Sequence, residues 1–112
     1  MSARLPSHLI VSALLRRVND AGGMGVVRAR GDAQAGAILV IALEQGGNPC
    51  VYERGIDPSG KTALLRSGPA DLDSGTIDAY WRRRRSRDPD LWVLELDIPF
   101  AERFAAEMIL DD

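Results

Sequence analysis

The sequence holds one cysteine, Cys50, one histidine, His8, and one lysine, Lys61, among 112 residues. A single cysteine excludes an intrachain disulfide, and with a single histidine it leaves the common Cys/His zinc sites short of ligands. His8 falls in the first turn of a predicted helix, where nothing nearby supports a Ser-His-Asp triad or a pairing with Cys50. No apolar run approaches the roughly 20 residues of a membrane-spanning helix. The run Leu9 to Leu15 stops at Arg16 and Arg17 without a small-residue cleavage pattern, so it reads as a helix and not as an export signal. An excess of charge is missing too. Fourteen basic and sixteen acidic residues give a formal net charge of -2, so no global field draws in nucleic acid or an acidic membrane. A lone cysteine fits a reducing compartment, and the expectation is a cytoplasmic protein.

What is present suits a folded domain. The hydrophobic fraction is 46% and the charged fraction 27%, and a chain of this length buries about two-thirds of its unfolded surface without metal or disulfide staples. A single domain, residues 1–112, is expected. Ser7 is placed to cap a first helix with apolar positions Ile10, Leu14 and Val18, ended by Gly22 and Gly23. Val26 to Arg30 alternates as a half-buried strand, with Val27 and Ala29 on one face and Val26, Arg28 and Arg30 on the other. The segment "AILVIAL" (Ala37 to Leu43) has no polar residue on either face, which marks a central strand covered on both sides or closed by a partner chain. "CVYER" and "TALLR" complete an antiparallel meander. Gly68, Pro69, Asp71 and Asp73 form a linker to a second helix over Ser74 to Arg87, and "LWVLELD" is a further strand. Pro99 opens a last helix with Phe100, Phe104 and Met108 on its buried side and Ala101 and Ala105 beside them. The order α-β-β-β-β-α-β-α predicts an α+β fold on a mainly antiparallel sheet of about five strands with three helices.

Two stretches invite functional readings. "GIDPSGKT" (Gly55 to Thr62) matches the phosphate-loop pattern, yet Pro58 removes a backbone donor, Asp57 adds a negative charge, and Gly68-Pro69 cuts short the helix such a loop needs. A tight turn between strands suits it better, and nucleotide binding is not expected. "YWRRRRSR" suggests nucleic acid, but five arginines between Asp73 and Asp90 are offset by four aspartates. On a helical wheel Ile77, Tyr80, Trp81 and Arg84 share one face, while Arg82, Arg83, Arg85 and Arg87 spread around the rest. Arg84 therefore lies within the apolar stripe, where its guanidinium needs Trp81 or Tyr80 beneath it and a carboxylate such as Asp88 or Asp73. Arg28 and Arg30 form the other cationic group, and with Arg84, Trp81 and Asp88 they make up the candidate ligand site. Glu95 and Asp97 alternate on one side of a strand, where they could hold a hard cation or, in the case of Glu95, serve as an acid or base.

The blocks "SALLRRVNDAGGMGVVRARGDAQAGAILV" (Ser12 to Val40) and "DPDLWVLELD" (Asp88 to Asp97) resemble the family of small bacterial proteins known as domain of unknown function 1491, whereas Gly46 to Asp73 departs from its pattern. The resemblance implies a free-standing cytoplasmic bacterial domain and brings no catalytic residue with it. The residues themselves suggest a non-catalytic binding or adaptor protein, without cofactor or metal. Self-association or a protein partner would cover the second face of "AILVIAL". The alternative is a small enzyme or ligand-binding domain for an anionic metabolite that uses Arg28, Arg30 and Arg84 as anchors and Asp88 or Glu95 as the acid or base.

Overall fold

The protein is represented by a computed structural model that describes residues 5–69 and 73–110; Asp71 of the expected linker lies outside them. Eight elements follow in the predicted order: α1 (Ser7–Asp20), β1 (Met24–Ala29), β2 (Ile38–Glu44), β3 (Gly47–Ile56), β4 (Thr62–Ser67), α2 (Ser74–Arg87), β5 (Trp92–Asp97) and α3 (Ala101–Ile109). The strands form one sheet in the order β1-β5-β2-β3-β4. The predicted meander is there: β2 pairs antiparallel with β3, and β3 with β4. The last strand, β5, inserts between β1 and β2, antiparallel to the first and parallel to the second, so that Leu94 lies beside Val40. This parallel pair at the centre is the departure from an otherwise antiparallel sheet.

The apolar character of β2 follows from its place in the middle. Ile38, Val40 and Ala42 pack with Trp92, Leu94 and Leu96 of β5 against α1 and α3, which contribute Leu14, Val18, Ala101 and Ala105. On the opposite face Leu39 and Ile41 pack with Val51 and Val93 beneath Ile77 and Trp81 of α2. Each fully buried aliphatic side chain contributes about 1.5 to 3 kcal/mol, so both layers stabilise the sheet. The second face of β2 is thus covered within the chain, and it no longer argues for a partner.

Local details differ from the sequence reading in three places. Ser7 is the first helical residue and not the cap; its buried hydroxyl donates to the Gly36 carbonyl at 2.7 Å and ties α1 to the loop before β2. The other end of α1 closes as expected, with Gly23 N–H on the Val18 carbonyl, Gly22 N–H on the Asn19 carbonyl, and Gly22 at φ 93°. In β1 the pairing slips between Val27, opposite Leu94, and Ala29, opposite Val93. This bulge puts Val27 and Ala29 on different faces and turns Arg28 out of the regular alternation. Finally, α3 begins two residues later than Pro99 suggests. Phe100 stands before it in the left-handed conformation and is 58% exposed, while Ala101, Ala105 and Ile109 take the buried positions.

Candidate functional site

The residues nominated from sequence do not converge. Arg28 binds Glu95 at 2.7 Å, approaches Asp78 at 3.9 Å, and lies 5.7 Å from the centre of the Trp81 ring. Arg30, beyond the bulge, stacks over Trp92, whose ring belongs to the opposite face of the sheet. Trp81 is buried beneath α2, donates its indole N–H to Asp78 at 3.1 Å, and carries Arg82 at 4.6 Å as well as Arg28. Arg84 occupies the apolar stripe as predicted and stacks on Tyr80, but its carboxylate is Glu53 of β3, at 2.6 Å. Asp88 instead ends α2 and accepts the Asp90 N–H, while Asp73 caps the start of α2 by accepting from Thr76 N–H and hydroxyl. Glu95 and Asp97 are also committed, the first to Arg28 and the second to backbone donors. Two Arg–Glu pairs therefore flank α2: Arg84–Glu53 ties it to β3, while Arg28–Glu95 joins β1 to β5 and reaches α2 through Asp78 and the Trp81 ring.

The "GIDPSGKT" segment is the β3–β4 turn. Asp57 carboxylate accepts from Ser59 N–H, Ser59 hydroxyl and Lys61 N–H, at 2.9, 2.6 and 3.0 Å, and these bonds hold its carboxyl below the usual carboxylate range. The amides that a phosphate would require are thus bound to a fixed negative charge. Gly60, at φ 88°, makes the bend.

A different site lies where the parallel strands β2 and β5 end. From Glu44 the chain turns into β3, and from Asp97 it leaves through Pro99 toward α3, so the two paths diverge and open a crevice at the carboxyl ends of the pair. It encloses about 520 Å³ between Gly22, Glu44, Gln45, Asn48, Asp97 and Pro99. It continues across Glu44, Asn48 and Ile98 into a depression of about 300 Å³ lined by Cys50, Tyr52, Phe100 and Glu102. Asp97 shapes the crevice, because its two carboxylate oxygens accept the N–H groups of Gln45 and Gly46, each at 2.8 Å, and hold the turn in left-handed geometry. Gln45 (φ 49°), Asn48 (φ 50°) and Phe100 (φ 60°) are the non-glycine residues with positive φ among the described residues, and all three line it. Burial pushes the Tyr52 phenol up, and Cys50 and Glu102 beside it add to the effect. His8 belongs to the other end of α1, where its N–H donates to Ala33, so it does not meet Cys50 in this depression. A second cavity, of about 440 Å³, lies at the opposite end of β2 between Ile38, Ile56, Thr62 and Ile109, but Glu53 in its wall is already bound to Arg84.

Sequence reasoning missed Glu53, Glu44 and Glu102. The alternation in "CVYER" does place Glu53 on the face of Val51, and that signal becomes usable once α2 is known to cover the same face.

The family model described as "Protein of unknown function (DUF1491)" matches residues 5–106, a span that includes Gly46 to Asp73. A crystal structure of a DUF1491 family protein from Caulobacter crescentus is 30% identical, covers 89% of this chain and 94% of its own, and superposes with a TM-score of 0.78. A solution structure of a protein from A. tumefaciens is 32% identical over 86% of this chain and 87% of its own, with a TM-score of 0.69. No curated protein matches the chain.

Proposed function

The chain belongs to the DUF1491 family, whose description names no activity, and from that premise we propose that it is a non-catalytic binding domain whose ligand site is the crevice at the carboxyl ends of β2 and β5. The observation that carries this reading is the crevice where β2 and β5 diverge, with Asn48 and Phe100 both in left-handed geometry at its opening, whereas Gln45 takes that geometry because the two-residue β2–β3 turn requires it. Such a conformation costs about 1 to 2 kcal/mol per residue and persists only where the surroundings impose it, most often at binding sites. The crevice also has the size of a small-molecule site, within the roughly 300 to 1,000 Å³ usual for one. The anionic-metabolite alternative draws less support, because Arg28 and Arg84 would have to leave Glu95 and Glu53 to serve a ligand. A fragment screen followed by amide chemical shifts tests the reading. Binders should perturb Gly22, Gly23, Asn48 and Phe100 together; fragments that scatter over the surface, or none that bind, would overturn it.

A second reading concerns the edge strand β1, which pairs only with β5 and exposes Met24, Val26 and Val27 at 66%, 40% and 36%. A second copy of the chain suits this edge. Antiparallel pairing about Val26 sets Met24 against the Arg28 stem and Val27 against Gly25, and no like charges meet, since Arg28 is neutralised by Glu95. Sedimentation at about 100 µM should show self-association that Val26→Lys abolishes, whereas a wild-type monomer at that concentration would remove the reading. Residence in a bacterial cytoplasm completes the proposal. Among the described residues no helix is long and apolar enough to cross a membrane.

A further inference from the structure

We infer that the occupant of the crevice presents a compact aromatic ring that stacks on Phe100, an inference that rests on the binding reading above and names the chemistry of its ligand. The fold makes no use of the Phe100 ring. It is 58% exposed, belongs to neither core cluster, and stands before α3 at φ 60° and ψ 37°, where asparagine or glycine would cost less. The guanidinium of Arg103 lies 4.8 Å from the ring centre, a flat group already stacked on a flat face. The other aromatic side chains at this level of exposure are absent among the described residues: Trp81 and Trp92 are buried, Tyr80 bonds Arg84, and Phe104 packs on the α1/α3 core.

The depression that Phe100 lines, the far lobe of the crevice, is built for such a ring. Ala42, Ile98 and Ala101 bring buried apolar side chains to it. Tyr52 and Cys50 share its wall, two residues apart on β3, with phenol and thiol close enough to share a hydrogen bond. A phenyl ring, a phenol and a thiol around one hollow offer an aromatic ligand ring and sulfur contacts that an aliphatic one of the same size does not gain. Charge does not select the occupant. Glu44 and Glu102 line the depression, but Arg66, opposite Tyr52 in the β3–β4 ladder, and Arg103, on the Phe100 ring, stand beside it. An ion of either sign meets a like charge as well as an opposite one, whereas a neutral ring meets apolar side chains and ring faces. The volume of about 300 Å³ is at the small end for a ligand site, which limits the occupant to a compact ring system.

Two neutral probes of matched size separate ring stacking from apolar bulk: benzyl alcohol and cyclohexylmethanol, each titrated into the labelled protein while amide shifts are followed to saturation. Benzyl alcohol should move Asn48, Phe100 and Glu102 and bind about two- to tenfold more tightly than cyclohexylmethanol. Phe100→Asn and Phe100→Leu should each remove that preference, and Phe100→Tyr should keep it. Because the ring is exposed, spectra of the free variants that match the wild type away from residues 99–102 report an intact fold. Benzoate and benzylamine should each bind within about threefold of benzyl alcohol. If cyclohexylmethanol binds at these amides as tightly as benzyl alcohol, or if Phe100→Leu keeps the preference, the aromatic inference falls and the binding reading stands. A preference of about tenfold for benzoate or for benzylamine would give the selection to charge and overturn the inference as well. If none of the four probes moves those amides, both readings fall.

Discussion

Arg84 and Glu53, 31 positions apart in sequence, meet at two points: Nη1 donates to Oε2 at 2.6 Å and Nη2 to Oε1 at 3.1 Å. Tyr80 and Ser67 close the arrangement. Arg84 also donates to the Tyr80 oxygen at 2.7 Å, and the Ser67 hydroxyl lies 2.6 Å from both Glu53 and Tyr80. Two side chains from α2 and two from the β3–β4 hairpin therefore form one half-buried polar cluster. Removing either charge leaves the other with a partly desolvated group and no counter-ion. Glu53→Ala and Arg84→Ala should each cost about 1 to 3 kcal/mol, and the double variant should cost less than their sum by about 1 kcal/mol. Urea denaturation of the four proteins measures this. Additive losses would mean that the pair contributes no coupling.

The same pair sets a pH dependence. The hydrogen bond from Arg84 is the main cause that holds the Glu53 carboxyl below its usual range, and Ser67 adds to it against the opposing effect of burial. Because the folded value lies below the unfolded one, the stabilisation is fully present above the ordinary glutamate pKa and is lost as pH falls through the lowered value. Stability measured from pH 6 downward to about pH 3 should fall less steeply in Glu53→Gln than in the wild type. Identical slopes would show that Glu53 titrates alike in both states.

Within "RRRR" the structure separates residues that look equivalent. Trp81→Ala empties a buried site beneath α2 and should cost about 3 to 5 kcal/mol, whereas Arg83→Ala should stay within about 0.5 kcal/mol of the wild type. Arg82 stacks on Trp81 and Arg85 donates to the Pro89 carbonyl, so both should fall between these limits. A loss at Arg83 equal to that at Trp81 would show that the face of α2 is wrongly assigned.

Nucleotide binding is tested at the β3–β4 turn. Neither ATP nor GTP with magnesium should raise the melting temperature, and Lys61→Ala should change nothing, since Asp57 already takes the Ser59 and Lys61 amides. A shift of several degrees that Lys61→Ala removes would refute this.

The two phenylalanines should respond in opposite ways. Phe104 packs against the α1/α3 core, and Phe104→Ala should cost about 2 kcal/mol or more. Phe100 is exposed and left-handed, so Phe100→Asn should leave stability unchanged or raise it by up to about 1 kcal/mol. Equal losses at both positions would place Phe100 in the core. Thermal and urea unfolding of the pair separate these outcomes.

Element types and order were legible because they depend on local patterning. The all-apolar "AILVIAL" and the Trp81–Arg84 stripe report which faces are covered, and the structure bears out both. What was not legible depends on strand order and on single backbone dihedrals. Nothing in "LWVLELD" says that it pairs with both β1 and β2, yet that placement creates the crevice. The bulge at Arg28 and the left-handed Phe100 each displaced a predicted face by one residue, since alternation carries no record of an inserted residue or a reversed φ. The place of Arg84 in the apolar stripe was legible, but its carboxylate partner lay across the sheet, beyond the reach of helical spacing.

The insertion of β5 between β1 and β2 also sets the order of assembly. Residues 38–67 can close their hairpins as soon as they are made, because every pairing among β2, β3 and β4 is between sequence neighbours. β1 has no such neighbour in the sheet and stays unpaired until Trp92–Asp97 arrives and fills the gap on both sides. Two ladders, one of them at the centre of the sheet, thus form in one late, long-range step, which slows folding and leaves the inner edge of β2 open during synthesis. A newborn chain halted before β5 therefore presents an apolar strand in need of a mate, and chaperone demand should peak there and drop sharply once the final strand docks.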